Sequence, residues 1–246
     1  MGHQPESVEA GPASGTGPSR VAIVVADGDH APGALAALAR SEPGALVIAA
    51  DGGARRALDE GVRPDIVIGD GDSLAAEVRA SLEQMGVPLR LEDPDKDESD
   101  TELCLLAALE SGAQRILILG ALGGRRPEHS VANLLLLADE RFDGRSVVVL
   151  DGATRVTRMG TPTGEGALGL QGRPGHFVSL FALDGEVRGV RTEGLRFPLH
   201  AETLLLGRTR GLSNEMLGER ARVTTQLGRL LVIQTARPDA APEVMT

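Results

Sequence analysis

The chain has 246 residues with 25 lysines and arginines against 35 aspartates and glutamates, and the resulting net charge of -10 opposes a sequence-independent hold on nucleic-acid phosphates. A single cysteine, Cys104, excludes an intrachain disulfide and a cysteine zinc cluster, and no apolar run approaches the roughly 18 residues of a membrane-spanning helix. No early basic-then-apolar stretch resembles a signal peptide, so the features together point to a cytoplasmic protein with no nucleic acid and no membrane as partner.

Residues 1–20 are rich in Gly, Pro, Ser and Glu with almost no apolar content, the composition of a disordered tail. From Val21 onward, short apolar runs bounded by turn residues predict buried strands over Val21–Ala26, Ala45–Ala50, Asp65–Ile68, Pro88–Leu91, Arg115–Leu119 and Ser146–Leu150. Helix-length stretches separate them: Gly33–Arg40, Gly53–Glu60, Leu74–Met85, Asp100–Glu110 and Ser130–Glu140. Such alternation builds a parallel sheet. Asp100 and Glu102 place carboxylates in the first turn of the fourth helix, where they complement its dipole, and Gly112 supplies a stop. Leu103, Leu106, Ala107 and Leu109 supply its packed face, with Cys104 beside them as a core residue. After Leu150 the character changes to strands at Arg155–Met159, His176–Leu183, Glu186–Glu193, Arg222–Gln226 and Arg229–Gln234, joined by Gly-rich turns. The expected fold class is therefore α/β, with an N-terminal parallel-sheet α/β domain over residues 21–150 and a C-terminal all-β sandwich domain over 151–236. A short tail, 237–246, follows.

Ligands of open parallel sheets bind beyond the carboxyl ends of the strands. The loops expected there are Asp27-Gly28-Asp29-His30, Asp51-Gly52-Gly53, Asp70-Gly71-Asp72-Ser73, Asp93 to Asp100, and Gly120 to Arg126. Between Asp51 and Glu102 lie 15 acidic and 6 basic residues, so the chain's negative charge is concentrated beside this edge. Converging carboxylates repel unless a cation sits among them, and Mg²⁺, a hard ion taking oxygen ligands, is the simplest choice. Mg²⁺ binds few carboxylates and shares its shell with substrate phosphates, so an acidic edge beside an arginine-bearing glycine loop implies a metal-bound polyphosphate such as ATP. Glycines 52, 53, 123 and 124 let backbone N–H groups approach it, and Arg125 or Arg126 could neutralise transferring oxygens. A single Asp-x-Asp is a weak signal, because loops are rich in aspartate; three acidic loops converging are a stronger one. Lys96, the one lysine, reads either as a screening charge or as a phosphate contact. His129 opens a helix and fits a structural or a substrate role equally, and no histidine has metal-ligand spacing. No nucleophile elbow is present.

In order and spacing these motifs resemble the thiamine pyrophosphokinase (thiamine diphosphokinase) family over about Val21 to Ile233. The residues that carry the resemblance are Ala49 to Ala54, Pro64 to Ser73, Asp95 to Asp100, Gly120 to Arg125 with His129 and Ala132-Asn133-Leu134, Gly194 to Leu199, and Gly211 to Glu215. The resemblance implies an ATP-binding α/β domain, a thiamine-binding β-sandwich, and a homodimer with active sites between subunits. The implied reaction converts thiamine and ATP to thiamine diphosphate and AMP. Carried over by position, Asp70, Asp72 and Asp100 would hold Mg²⁺, with Asp51 and Asp97 nearby. Lys96, Ser99 and Arg125 or Arg126 would face phosphates, with Gly52, Gly53, His129 and Asn133 lining the nucleotide site. Ser213 and Asn214 would place thiamine.

Three departures from the family pattern stand out. Gly71 replaces an aromatic between the paired aspartates. The arginine loop is one residue longer, with Glu128 in place of aspartate before His129. The chain has neither Trp nor Tyr, which leaves Phe197 as the ring available to a thiamine pyrimidine. Competing functions are a pyrophosphokinase acting on another acceptor such as a hydroxymethylpterin, a non-catalytic nucleotide- or thiamine-binding regulator, and a phosphohydrolase using Asp27 and Asp29.

Overall fold

Six apolar runs form the parallel strands β1 (Val21–Val25), β2 (Leu46–Ala50), β3 (Ile66–Gly69), β4 (Leu89–Leu91), β5 (Arg115–Leu119) and β6 (Ser146–Asp151) in a computed structural model that describes residues 20–124 and 126–237. The two expected tails lie almost wholly outside the described residues, as does Arg125. The parallel strands stand in the order β4-β3-β2-β1-β5-β6, with Val24 of β1 opposite Ile48 on one side and Ile118 on the other. The helices α1 (Ala34–Ser41), α2 (Asp51–Asp59), α3 (Ala76–Gln84), α4 (Asp100–Glu110) and α5 (Pro127–Leu136) cover both faces of this sheet. On one face Leu35, Leu38, Ala54, Ala57 and Leu82 from α1, α2 and α3 pack on Ile23, Val25 and Val47. On the other, Leu103, Cys104, Leu105 and Ala108 of α4 pack on Val24, Ile48, Ile68 and Ile118. Burial on both faces is the reason β1, β2, β3, β5 and β6 read as apolar runs rather than alternating ones; β4, at the sheet edge, leaves Arg90 and Leu91 exposed.

The chain then turns back through β7 (Thr154–Met159), which pairs antiparallel with β6 and carries the same sheet onward. The remaining strands are β8 (Gly166–Gln171), β9 (Phe177–Ala182), β10 (Glu186–Glu193), β11 (His200–Leu205), β12 (Gly211–Glu215), β13 (Arg220–Thr225) and β14 (Leu230–Thr235). The result is one ten-stranded sheet, β12-β9-β14-β7-β6-β5-β1-β2-β3-β4, and a four-stranded sheet, β11-β10-β13-β8. Val178, Leu180, Val187, Val190, Val223 and Val232 fill the space between the two sheets and form the core of a β-sandwich. The α/β class with its C-terminal sandwich is as expected. The ladder between β6 and β7 runs through residues 150 and 151, where the expected domain boundary falls.

A charge network lies beside this junction. Arg229 holds Asp143 with two hydrogen bonds, of 3.0 and 2.8 Å, and reaches Asp184 at 2.9 Å. Arg158 pairs with the same Asp143 and also donates to the Phe142 carbonyl at 2.9 Å. The Arg158 and Arg229 side chains are 2% and 9% exposed, so their charges depend on these partners.

The differences from the sequence expectation are local. Strands β8, β11 and β12 were not anticipated, because Gly166–Gln171 and His200–Leu205 each bury only one residue and Gly211–Glu215 is largely polar. Helix α5 begins at Pro127 and ends at Leu136, where Ser130–Glu140 was expected; proline's fixed φ and missing N–H suit a first turn. Helix α2 starts at Asp51, directly from β2. On α4 the buried stripe is Leu103, Cys104, Leu105 and Ala108, turned toward the sheet from the predicted face that included Leu106.

Candidate active site

The acidic loops meet at the carboxyl edge of the parallel sheet. Asp51 opens α2 at the end of β2, Asp70 follows β3, and Asp100 begins α4 after the loop that leaves β4. One carboxylate oxygen from each of these three lies within 4.8 Å of the others. This approach has a local cause in Gly69, the last residue of β3. A Cβ there would lie 2.8 Å from the Asp51 Cβ and 3.1 Å from Asp100 Oδ2, so a side chain at Gly69 would push the carboxylates apart. Gly53 works in the same way one turn into α2, since its missing Cβ would sit 2.1 Å from the Val25 carbonyl oxygen; the bare backbone lets α2 rest on β1.

Burial and hydrogen bonding divide the three acids. Asp51 is 2% exposed and accepts from the Ser73 amide at 2.9 Å. Burial, followed by the charges of Asp100, Asp70 and Asp72, pushes its carboxyl above the usual range despite that bond. The Asp72 amide donates to Asp70 at 3.0 Å and, with Lys96 nearby, holds the Asp70 carboxyl below the usual range. The Lys96 ammonium lies 3.0 Å from Asp100 Oδ1 and 3.8 Å from Asp70 Oδ2. Burial opposes its charge, but Asp100 and Asp70 outweigh burial and keep the ammonium above its usual value. Three hard oxygen donors of this kind, gathered by a glycine cradle, fit a divalent ion of the Mg²⁺ type.

Other expected site residues take different positions. Asp72 is exposed, and its carboxylate accepts from the Ser73 hydroxyl at 2.9 Å, beside the cluster of Asp51, Asp70 and Asp100 rather than within it. Asp97 is exposed on the loop before α4, and Ser99 caps that helix by accepting from the Glu102 amide at 3.2 Å. Arg126 pairs with Glu128 at 2.7 Å, and His129 is exposed in the first turn of α5. Asn133 is buried and donates to the Ala121 carbonyl at 2.8 Å, anchoring the glycine loop after β5 to α5. The Asp27–Asp29 loop is tied down by Arg56 of α2, which donates to the Asp27 carbonyl at 3.0 Å and to Asp29 at 2.9 Å. Neither Asp27 nor Asp29 belongs to the acidic cluster. Arg56 was not singled out from the sequence, where its position one turn beyond Asp51-Gly52-Gly53 was the available signal.

In the sandwich, a shallow cavity is lined by Leu180, Phe197, Leu199, Arg210, Leu212 and Asn214. Asn214 clamps the segment bearing Phe197, accepting from its amide at 2.9 Å and donating to its carbonyl at 2.6 Å. Ser213 takes φ 59°, an uncommon conformation for a non-glycine, and its amide donates to the Ser179 hydroxyl at 3.0 Å. Arg196 lies over the Phe197 ring, 5.3 Å from its centroid.

Two family models match this chain: the thiamin pyrophosphokinase catalytic domain over residues 41–149, and the thiamin pyrophosphokinase vitamin B1 binding domain over residues 169–230. Together they span well over half of the sequence. The chain belongs to the thiamin pyrophosphokinase family. It is 27% identical over 190 residues to the thiamine pyrophosphokinase of Bacillus subtilis, covering 77% of this chain and 87% of the relative. A second relative, thiamine pyrophosphokinase 1 of Oryza sativa subsp. japonica, is 27% identical over 201 residues, 73% of this chain and 75% of its own. Among solved structures, the Bacillus subtilis thiamine pyrophosphokinase superposes with a TM-score of 0.76 at 24% identity, covering 89% of this chain and all of that one. Yeast thiamin pyrophosphokinase gives 0.71 at 14% identity, covering 90% and 88%. At these identities the structures establish a shared fold. The catalytic-domain match contains Asp51, Asp70, Lys96 and Asp100, and the vitamin-binding match contains the cavity in the sandwich.

Proposed function

We propose that the protein transfers pyrophosphate from Mg-ATP to the hydroxyl of thiamine, giving thiamine diphosphate and AMP. The observation that carries this is the meeting of Asp51, Asp70 and Asp100 with Lys96 at the carboxyl edge of a sheet whose family is that of thiamin pyrophosphokinases. The thiamine hydroxyl attacks the β-phosphorus of ATP and releases its proton to water, the bond from that phosphorus to the oxygen bridging it to the α-phosphorus breaks, and AMP leaves with that oxygen. Reactions of this type depend mainly on positioning and charge neutralisation. Asp51, Asp70 and Asp100 would hold Mg²⁺, which supplies charge neutralisation on the polyphosphate when bound. Asp72 and Asp97 flank that set. Lys96 supplies a mobile positive charge, and Arg126 or Arg125 a guanidinium for the phosphates. Gly52 and Gly53 lie in the first turn of α2, whose backbone N–H groups have no carbonyl partner within the helix, a suitable contact for phosphate or ribose. Ser99, His129 and Asn133 build the loops around the nucleotide. Ser213 and Asn214, with Phe197 as the aromatic surface, would receive thiamine in the sandwich cavity.

We also propose a homodimer, which rests on the family resemblance; Leu135, Leu206, Leu212 and Leu217, each at least half exposed, are apolar surface that such a contact could use. Among the described residues no helix is long and apolar enough to cross a membrane, and a cytoplasmic location accords with a buried, unpaired Cys104. Product analysis by mass spectrometry after incubation with Mg-ATP and thiamine tests the activity. AMP and thiamine diphosphate should form only when thiamine is present; AMP formed only with a hydroxymethylpterin would replace the acceptor, and no AMP despite nucleotide binding would remove the transfer reaction.

A further inference from the structure

Lys96 is the one lysine in a chain whose other 24 basic residues are arginine. It is placed unlike an ordinary surface charge. Its side chain is 13% exposed and forms ion pairs with two of the three clustered acids, 3.0 Å to Asp100 and 3.8 Å to Asp70. The Lys96 amide also donates to the Asp93 carbonyl at 3.2 Å, closing a turn that fixes where its stem leaves the loop. A divalent ion bound to Asp100 would share one carboxylate group with the ammonium that already holds it at 3.0 Å. Two cations that close, above partly buried carboxylates, repel strongly. The ammonium and a free divalent ion therefore compete for the same two carboxylates.

We propose that Lys96 guards the acidic cluster, excluding free divalent metal until a metal–polyphosphate complex arrives and offers the ammonium phosphate oxygens in exchange for Asp100 and Asp70. The proposal rests on the assignment of Asp51, Asp70 and Asp100 as metal ligands. A compact ammonium on a flexible four-carbon stem can make that exchange, whereas a rigid guanidinium fork would have to break two-pronged contacts to do so. The exchange makes metal and nucleotide binding mutually supportive: each favours the state in which Lys96 has moved, so each must raise the affinity for the other by the same factor.

Mn²⁺ binding to the full chain without nucleotide, followed by the electron-paramagnetic signal of free Mn²⁺, tests this. Lys96→Met and Lys96→Gln should each bind Mn²⁺ at least about tenfold more tightly than the unsubstituted chain, which corresponds to about 1.4 kcal/mol. Equal or weaker binding by both variants overturns the guard while leaving the metal assignment intact. No Mn²⁺ binding by either variant at millimolar concentration overturns the guard together with the metal assignment. A second measurement needs no substitution. Reductive methylation with ¹³C-formaldehyde labels one side chain, Lys96, besides the terminal amine. Its resonance should stay in place with Mg²⁺ alone and move when Mg²⁺ and α,β-methylene-ATP are added together. A shift with Mg²⁺ alone as large as that with the nucleotide complex would overturn the guard.

Discussion

Gly69→Ala tests how the acidic cluster is built. The added Cβ would lie 2.8 Å from the Asp51 Cβ, against an ordinary contact of 3.4–4 Å, so one of the two must retreat by about 0.6 Å or more. Asp51 is poorly placed to yield: it is buried, it begins α2, and α2 rests through Gly53 on the Val25 carbonyl. Asp100 Oδ2, 3.1 Å from the new carbon, can turn aside, but only by leaving its present position beside Asp51 and Asp70. Overpacking of this sort costs about 1–3 kcal/mol. For a chain of this size each kcal/mol lowers the melting temperature by about 2–4 °C. A catalytic group misplaced by about 1 Å costs roughly 100-fold in rate, so the shift here should lower kcat/KM by about 10- to 100-fold. Steady-state AMP production at several Mg²⁺ concentrations, with calorimetric melting on the same samples, measures both effects. Wild-type kcat/KM and Mg²⁺ dependence in Gly69→Ala would refute the cradle and with it the geometry assigned to Asp51 and Asp100.

Asp29→Asn should leave turnover within about threefold, because it weakens only an exposed pair with Arg56, typically worth about 0–1 kcal/mol; a 100-fold loss in steady-state assays would restore Asp27 and Asp29 as reacting groups. Asp143→Asn strips the carboxylate partner from the buried Arg158, leaves Arg229 with Asp184 alone, and should destabilise by about 3–5 kcal/mol in denaturant titrations. The two guanidiniums, Arg229 foremost, hold the Asp143 carboxyl below its usual range, so its contribution is complete above about pH 4, near the unfolded-state value, and fades as pH falls through the lower folded value. The stability gap between wild type and Asp143→Asn should therefore be widest near neutrality and close in acid; a gap independent of pH would remove the ion pair as its cause. Burial pushes the Cys104 thiol up, so a thiol reagent should modify it only as fast as the protein unfolds. Rapid modification of the native protein would mean that α4 opens locally.

The parallel half of the molecule was legible because its inner strands are buried on both faces and the loops at its carboxyl edge announce themselves in aspartate and glycine. Helix α4 runs over Asp100–Glu110, as predicted, since Ser99, Asp100 and Glu102 mark its start and Gly112, at φ 79°, follows its end. The sandwich was less legible. Strand β12 carries Ser213 and Asn214 and shows no alternation, since Asn214 is buried for its hydrogen bonds to Phe197 rather than for apolar contact. The spatial grouping of the acids was also hidden. Asp70 and Asp72 form an evident pair in sequence, yet Asp51, contributed by a different loop 19 residues earlier, stands beside Asp70 and Asp100. Its place depends on the absence of a side chain at Gly69, a relation between residues that no local pattern encodes.

The hydrogen bonds between β6 and β7 give the protein no seam. Val148 faces Thr157, Val149 faces Val156 and Leu150 faces Arg155, so the ladder passes from the parallel half of the sheet into the sandwich without an intervening linker. A gene cut between residues 150 and 151 would leave each fragment with an unpaired strand edge, that of β6 on one side and that of β7 on the other. Both are open to pairing with any neighbouring chain. The halves therefore cannot be exchanged between relatives as modules joined at a hinge, and any recombination that keeps a working protein has to carry β6 and β7 together.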